Sequence, residues 1–470
     1  MSAPVLWIAF PAVLGVILLF LRMRVTLVAV LGTLATLSLA LSAWFLPDRE
    51  QFTLGPWTVP FSDTLNLLGR SFTLDPADRS VVALIFLMAA LWFGAVPVAR
   101  TGHNFIPLAL GMISLFTAAI AVEPFLYAAL LIEIGVLLSI PMLIEPGRRA
   151  GRGIMRYLTF QTLGMPFILL TGWMLEGVET SPVEASFVVR LTLLLGLGFG
   201  LLLAIFPFYT WLPLLAEEAH PYVASFVFLL LPGAIFVLVL GFLDEYAWLR
   251  EVPEISTAFR WAGILMIITS GLWSMFQRQL ARILAYALIL EIGFSFLALN
   301  LALSERTALY LGLFFALQVP RGLSLGVWSL ALSVLRQEAP ELQFHHIQGL
   351  GMRFPITAGS LVLANLTLAG LPLLAGFPLR WSLLDGLASS DPGAAGWALV
   401  GSLGLLIAGL RTLMVLLASD QVPAWFLSES LWQRSFLLMG AAALLILGLF
   451  PQWLLPLLVD LPAAFQQLAP

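Results

Sequence analysis

Five charged residues stand where the surrounding sequence offers no water. Glu133 lies in FLYAALLIEIGVLLSI, Glu291 in ILAYALILEIGFSFLAL and Arg321 in FFALQVPRGLSLGVW. Arg380 follows the apolar run AGLPLLAGFPL, and Arg411 lies within the apolar stretch 396–417. A charge held at the centre of a bilayer costs about 2.5–3.5 kcal/mol on insertion scales. Each is therefore expected to face a protein interior and to find a partner there. A buried carboxylate is pushed toward its protonated form by desolvation and toward its ionised form by a nearby arginine, so it can be tuned to exchange protons. Arginine holds its proton at all relevant pH, and every one of the 22 basic residues here is arginine. Any proton relay must then run on Glu, Asp, His, Tyr or water. Two readings stay open: a chain of ionisable groups that moves protons near midplane, or static internal bridges that hold helices in register. The relay reading is the stronger one for Glu133 and Glu291. For Arg321 and Arg380 the two readings stand level.

The elements that would hold these residues are membrane helices. The chain is 61% hydrophobic and 10% charged, with a mean hydropathy of +1.01. Soluble domains are about 45–50% apolar and about 25% charged. Segments of about 20 apolar residues suffice to span a bilayer. Fourteen such spans can be drawn, among them 125–144, 187–208, 281–302, 307–334, 355–381 and 396–417. The spans 104–121 and 125–144 are separated only by Val122–Pro124, and one bent hairpin is an alternative. Segment 47–79 is the longest polar stretch and is expected to carry a short hairpin outside the membrane. The expected fold class is an all-α polytopic membrane protein. Twelve loop arginines fall in odd-numbered loops and seven in even-numbered ones, which places the odd loops in the cytoplasm and both termini on the other side.

Two spans are interrupted in the same manner. LAIFPFYTWLP (203–213) ends the seventh, and the Gly/Pro-rich run at 369–378 breaks the twelfth. Paired interruptions in corresponding positions of two halves point to a transporter of inverted repeats with discontinuous helices. Irregular backbone at that depth is tolerated only against protein or water, so the broken segments should line a polar interior. The expected division is 1–103 for the first three helices, 104–243 and 258–417 for the two repeats, and 418–470 for the last helix.

Other features carry less. Glu217, Glu218 and His220 in LPLLAEEAHPY are either a vestibule to the interior or a solvated loop. Tyr209, Tyr286 and Arg411 are further relay candidates. His345 and His346 form an adjacent pair without a third ligand and read as surface residues rather than a metal site. GLGFG (196–200) reads as a close-packing face inside a span. No Walker loop, GxSxG elbow, HExxH helix or strand-borne GxGxxG is present. With no cysteine, disulfides, thiolate catalysis and Cys-bound metals are excluded. No cofactor, metal or nucleic-acid partner is expected. The expected partners are the bilayer, protons and other membrane subunits.

Several stretches resemble the antiporter-like L, M and N membrane subunits of respiratory complex I and the related Mrp-type cation/proton antiporters. GRSFTLDPADRSVVALIFLM, FPFYTWLPLLAEEAHPYVAS, RQLARILAYALILEIGF and LGMRFPITAGSLVLANLTLAGLPLLAGFPLRW each match a family segment, in family order. The resemblance covers about residues 70–420. It implies two inverted five-helix repeats with broken helices 7 and 12, and a central axis of charged residues through which protons move. By position, Glu133 matches the family's fifth-helix glutamate, Arg380 the lysine or glutamate of the twelfth helix, and Arg321 lies near the basic position of the eleventh. The departures are large. Leu202 and Leu231 fall where the family has lysines on helices 7 and 8. Glu291 replaces a histidine, Ala281 a lysine, and Leu214 and Ala216 an aspartate and a histidine.

The resemblance implies a proton-translocating, antiporter-like subunit of a complex I-type NADH/quinone oxidoreductase assembly in an inner (cytoplasmic) membrane, with redox catalysis left to partners. An Mrp-like antiporter, an inorganic-carbon uptake subunit and a non-conducting structural paralogue are the alternatives. The missing lysines add weight to the last of these, which stays below the proton-translocating reading. The chain stops soon after its last span, which fits the M or N type.

Overall fold

The computed structural model describes residues 2–45, 51–54, 57–60, 62–67, 69–175, 185–305, 308–418 and 426–454, and beyond these 456, 459, 461–465 and 468. A π-helical turn, Val5–Ala9, leads into α1 (Phe10–Phe20), followed by α2 (Val25–Phe45), α3 (Arg79–Ala99), α4 (Phe105–Ala121) and α5 (Tyr127–Leu143). Next come α6 (Arg152–Leu175), α7 (Ala185–Leu202), α8 (Trp211–Glu218), α9 (Pro221–Glu245) and the short α10 (Ala247–Glu251). The second half holds α11 (Pro253–Phe276), α12 (Leu280–Glu305), α13 (Ala308–Ala316), α14 (Gln318–Arg336), and the short α15 (Phe344–Ile347) and α16 (Leu350–Arg353). It closes with α17 (Pro355–Ala369), α18 (Phe377–Ser390), α19 (Pro392–Leu417) and α20 (Leu431–Leu449).

The protein is an all-α polytopic membrane protein. Nine helices among the described residues are long and apolar enough to cross a membrane, and four shorter apolar helices accompany them. Every segment expected to span corresponds to a helix or to an interrupted helix. α4 and α5 are separate, divided by the two-residue strand β5 (Val122–Glu123), which pairs with β4 (Arg70–Thr73) of the hairpin β3 (Thr64–Leu67)–β4. A second hairpin, β1 (Gln51–Leu54) with β2 (Trp57–Pro60), precedes it. The polar segment 47–79 thus holds two hairpins, and the second is tied to the loop between α4 and α5.

α12 is the axis of the fold. From Leu280 to Leu299 every residue except Arg282 is buried. A helix apolar all round is stable only inside a protein or a membrane, and α12 is enclosed by α8, α11, α14, α17 and α19. α11 approaches α19 so closely that a Cβ on Gly271 would lie 2.3 Å from the Gly401 carbonyl oxygen. Small residues permit such contact in membranes, where packing replaces the hydrophobic effect between helices.

Both interruptions fall at the residues the sequence marks, and in each case a second helical segment follows. The seventh helix does not end at its break: α7 stops at Leu202, the chain turns through Ala204 at φ 55°, and helix resumes in α8, which runs to Glu218. The twelfth stops at Gly370, with φ 79°, and resumes as α18, which runs on to Ser390. The freed amides find substitutes. Ile205 N–H donates to Gly200 at 2.9 Å, and Ala375 N–H donates to the Leu444 carbonyl of α20 at 3.0 Å. The eleventh span runs as one apolar helix from Ala308 to Arg336, and the i→i−4 hydrogen bonds continue through Leu317, where α13 meets α14.

Candidate functional site

Three buried charges meet where the second break faces α12 and α14. Glu291 on α12, Arg321 at the fourth position of α14 and Arg380 at the fourth position of α18 are each 2–3% exposed. Arg321 Nε donates to Glu291 Oε2 at 3.3 Å. Its Nη2 donates to the Glu291 carbonyl and to Ser295 Oγ, both at 2.6 Å, and its Nη1 to Gln318 Oε1 at 3.1 Å. Arg380 Nη2 donates to the other carboxylate oxygen, Glu291 Oε1. Arg380 also packs its guanidinium over the Phe294 ring at 4.3 Å and reaches Ser402 Oγ on α19 at 3.5 Å.

Local chemistry explains each placement. Ser295 is one helical turn after Glu291, and Gln318 one turn before Arg321, so both polar partners share a face with the charge they serve. Gly370 ends α17 in the left-handed conformation that suits glycine. A Cβ there would lie 3.1 Å from Arg380 Cδ. The break therefore supplies both the turn and the room for the arginine. Two arginines on one carboxylate leave a net charge of +1 in the interior. Each close pair is worth about 4 kcal/mol at an effective dielectric of about 20.

The remaining sequence candidates lie elsewhere. Glu133 on α5 accepts from Thr162 Oγ1 on α6 at 2.8 Å, and its Oε2 is enclosed without a hydrogen-bond partner. Its neighbours on that face, Leu130 and Leu137, are exposed, as is Thr162. Both lie to one side of Glu133, about 60° and 40° around the helix, while Ala129 and Val136 on its other side are buried. Glu133 thus sits at the edge of this chain, near a lipid or subunit boundary. Leu202 and Leu231, at the two lysine positions of the resemblance, are 1% exposed.

Tyr286 meets Tyr209 of the first break at a tilt of 57°, with centroids 6.3 Å apart. It is five residues before Glu291, about 140° around α12. It therefore faces α8 and the first break, whereas Glu291 faces the second. Arg411 lies nine residues beyond Ser402, about 13 Å along α19, with its guanidinium 5.5 Å from the Phe344 ring.

The AEEAH segment divides among several tasks. Glu217 pairs with Arg282 of α12, both about one-third exposed. Glu218 caps α6: its carboxylate accepts from the Gly151 and Gly153 amides, the latter at 2.7 Å. A carboxylate there satisfies free N–H groups and suits the helix dipole. His220 is buried beside Arg336. Desolvation first, and the Arg336 charge second, lower its proton affinity from the ordinary 6.5 to about 4, against a bond to the Ala99 carbonyl. Arg336 also pairs with Glu145, which holds Arg148 at 3.2 Å. His345 and His346 are exposed, and no metal-ligand group of three is found among the described residues.

The sequence reading missed Gln318, Ser295, Ser402 and Thr162. The first two were within reach, since each lies one helical turn from a singled-out charge. Thr162 and Ser402 come from other helices, so only the packing shows them.

Comparison with known proteins fixes the kinship. The sequence model of the family described as "NADH:quinone oxidoreductase/Mrp antiporter, TM" matches residues 154–408. The chain belongs to this family. Among its relatives, NADH-quinone oxidoreductase subunit 14 of Thermus thermophilus is 27% identical over 456 residues, covering 91% of this chain and 93% of that protein. NADH-quinone oxidoreductase subunit N of Desulforudis audaxviator is 25% identical, covering 80% and 76%. The fold is shared with a chain of the Thermus thermophilus respiratory complex I solved with bound NADH, at a TM-score of 0.79 and 21% identity over 99% of this chain and 100% of that one. It is shared equally with a chain of the Mrp complex from Dietzia, at 0.82 and 16% identity over 100% and 99%. The matched residues 154–408 include α12, α14 and α18, which carry the charged cluster.

Proposed function

We propose that this chain is the proton-translocating, antiporter-like membrane subunit of a complex I-type NADH:quinone oxidoreductase assembly. It lies in a bacterial cytoplasmic membrane with all fourteen segments crossing and both termini outside. The observation that carries this reading is the Arg321–Glu291–Arg380 cluster, held at a helix break in the membrane interior. Glu291 is the one carboxylate of that cluster and the group able to gain and lose a proton. Arg380 sits on a half-helix whose start is irregular backbone, so a small shift of α18 separates the pair. Separation withdraws about 4 kcal/mol from the ionised carboxylate at an effective dielectric of about 20, the scale on which a proton replaces the arginine. Closing the pair expels it. In this family member the carboxylate carries the proton and the arginine moves as a fixed charge.

The assignment of 104–243 and 258–417 as inverted repeats agrees with a broken helix followed by an unbroken one in each. The orientation agrees with the clustering of Ala99, Glu145, His220 and Arg336 at one end, which brings four odd-numbered loop boundaries together. Partners come from the assembly: redox subunits supply electrons and neighbouring membrane subunits cover α5 and α6.

One observation favours a second reading. With two arginines on one carboxylate, and Leu202 and Leu231 in place of lysines, the chain would be a structural member that holds its neighbours in line. Membrane vesicles bearing the assembled complex separate the two. Under the first reading, Glu291→Gln lowers protons moved per electron while quinone reduction continues. An unchanged ratio leaves the structural reading standing.

A further inference from the structure

Glu429 is a buried carboxylate outside the charged cluster, 2% exposed, in the segment that leads into α20. Its Oε1 accepts from the amide N–H of Ile356 at 2.9 Å, from that of Thr357 at 3.2 Å and from Thr357 Oγ1 at 3.4 Å. These amides belong to the first turn of α17, where a helix has donors and no internal acceptors. No side chain at the N-cap position of α17 serves them. A carboxylate from another part of the chain does, and it also suits the helix dipole. The segment that carries it is itself tied down. Phe426 and Ser428 N–H donate to the Met352 and Arg353 carbonyls at 3.1 and 3.0 Å. Arg434, at the fourth position of α20, donates to the Glu429 and Leu427 carbonyls at 2.9 and 3.1 Å. Ser430 and Gln433 close a capping box at the start of α20. From there α20 follows α17 to the break. Ser360 Oγ donates to the Leu437 carbonyl at 3.5 Å, and the Ala375 amide in the break donates to that of Leu444 at 3.0 Å. Gly448 lies so close to the break that a Cβ there would run into the Leu373 carbonyl oxygen. α18 is held differently. It packs on α12, α13 and α19. Among the described residues, only Arg380 of α18 hydrogen-bonds to another helix through its side chain.

We infer that Glu429 is a positioning residue for the Glu291–Arg380 pair: with α20 it holds α17 as the fixed half of the broken helix, and α18 is the half that moves. The inference rests on the proton-conducting reading above and deepens it. Glu429 grips one end of α17, and Gly370 closes the other, about 21 Å away along a straight helix. Gly370 is the wall against which Arg380 is set, since a Cβ there would lie 3.1 Å from Arg380 Cδ. A displaced α17 therefore displaces the seat of the arginine. α17 cannot follow α18 without leaving the Ile356 and Thr357 amides, and the Ala375 amide, without acceptors in a buried setting. Buried donors left unpaired carry a large desolvation penalty. α18 pays no such penalty, because the bonds it must break are those of Arg380 itself. Motion is thus confined to the break, and the distance between Arg380 and Glu291 becomes the coordinate that changes.

The assembled complex in membrane vesicles gives the test, read as protons moved per electron beside the rate of quinone reduction. Glu429→Ala removes the acceptor and should lower the ratio about fivefold, the factor that one typical lost helix cap represents, while quinone reduction continues. Glu429→Gln keeps an oxygen for the Ile356 and Thr357 amides and should restore the parent ratio. A role confined to stability would instead reduce assembly and quinone reduction together and leave the ratio unchanged, and that result would overturn the inference. Cross-links test it without removing Glu429, in a chain that has no cysteine of its own. A short bis-methanethiosulfonate joins Ser360→Cys to Leu437→Cys and ties α17 to α20. The same reagent joins Gly386→Cys to Tyr310→Cys and ties α18 to α13, where a Cβ on Gly386 would lie 2.7 Å from the Tyr310 ring. The first tether should leave the ratio at its value before cross-linking. The second should lower it to the level of Glu291→Gln. Loss of pumping with the first tether, or full pumping with the second, would overturn the inference. Where Glu291→Gln has lost proton movement, those results leave the proposed function intact. A Glu291→Gln complex that pumps normally removes the function itself.

Discussion

Glu291 balances one negative charge against two buried guanidinium groups, and the asymmetry sets what substitutions do. Glu291→Gln leaves two cations without a counter-charge and should destabilise the chain by about 3–5 kcal/mol, as broken buried pairs do. Arg380→Gln leaves the neutral Glu291–Arg321 pair and should cost about 1–3 kcal/mol, the range for a lost buried hydrogen-bond partner. Thermal unfolding in mild detergent measures both, and the reverse order would remove the charge accounting. His220 gives a separate test. Its proton affinity is depressed to about 4 in the folded chain from 6.5, so the unfolded chain takes up a proton that the folded chain refuses. Stability from this group is present above about 6.5 and is lost as pH falls toward 4. His220→Gln should flatten that part of the stability–pH curve. Glu291, Arg321 and Arg380 were singled out in the sequence because each interrupts an apolar run. That they touch one another was not legible, since they come from three helices, with Glu291 and Arg380 89 positions apart.

The helix break is the element that makes the cluster possible. Gly370 turns the chain at φ 79° and leaves the space that Arg380 Cδ fills. Gly370→Ala combines a strained left-handed residue with a contact at 3.1 Å, so it should cost about 1–3 kcal/mol and reduce proton flux along with stability. Gly370→Asn tolerates the same backbone better and should lose less stability. Equal losses for both would mean that φ is not the constraint. The existence of both breaks was readable, because Gly and Pro are the residues that end a helix. The extent of the helix that follows each was not. WLPLLAEE lies beyond the expected span 187–208 and SLLDGLASS beyond the expected span 355–381, yet both belong to the second halves of the interrupted helices. α8 is short, and α18 carries an arginine, so hydropathy alone undervalues both. Glu218 was read with its neighbours as vestibule or loop. Its role as the cap of α6 depends on a contact across 65 residues.

At the scale of the whole molecule, the fold class followed from composition and apolar run length, because no soluble chain tolerates so little charge. The assignment of function came from motif order along residues 70–420 rather than from any catalytic signature. Glu133 shows the limit of reading one chain. It was expected to face inward, and it lies at the rim, where a neighbouring subunit in the assembly would complete its surroundings. The account rests on Glu291 taking up and releasing a proton while Arg380 leaves and returns. Redox-triggered infrared difference spectra of the assembled complex test this most directly. Turnover should produce a carbonyl band of a protonated carboxylic acid that disappears in Glu291→Gln. A band that persists unchanged in Glu291→Gln, or its absence in the parent complex during proton pumping, would contradict the account.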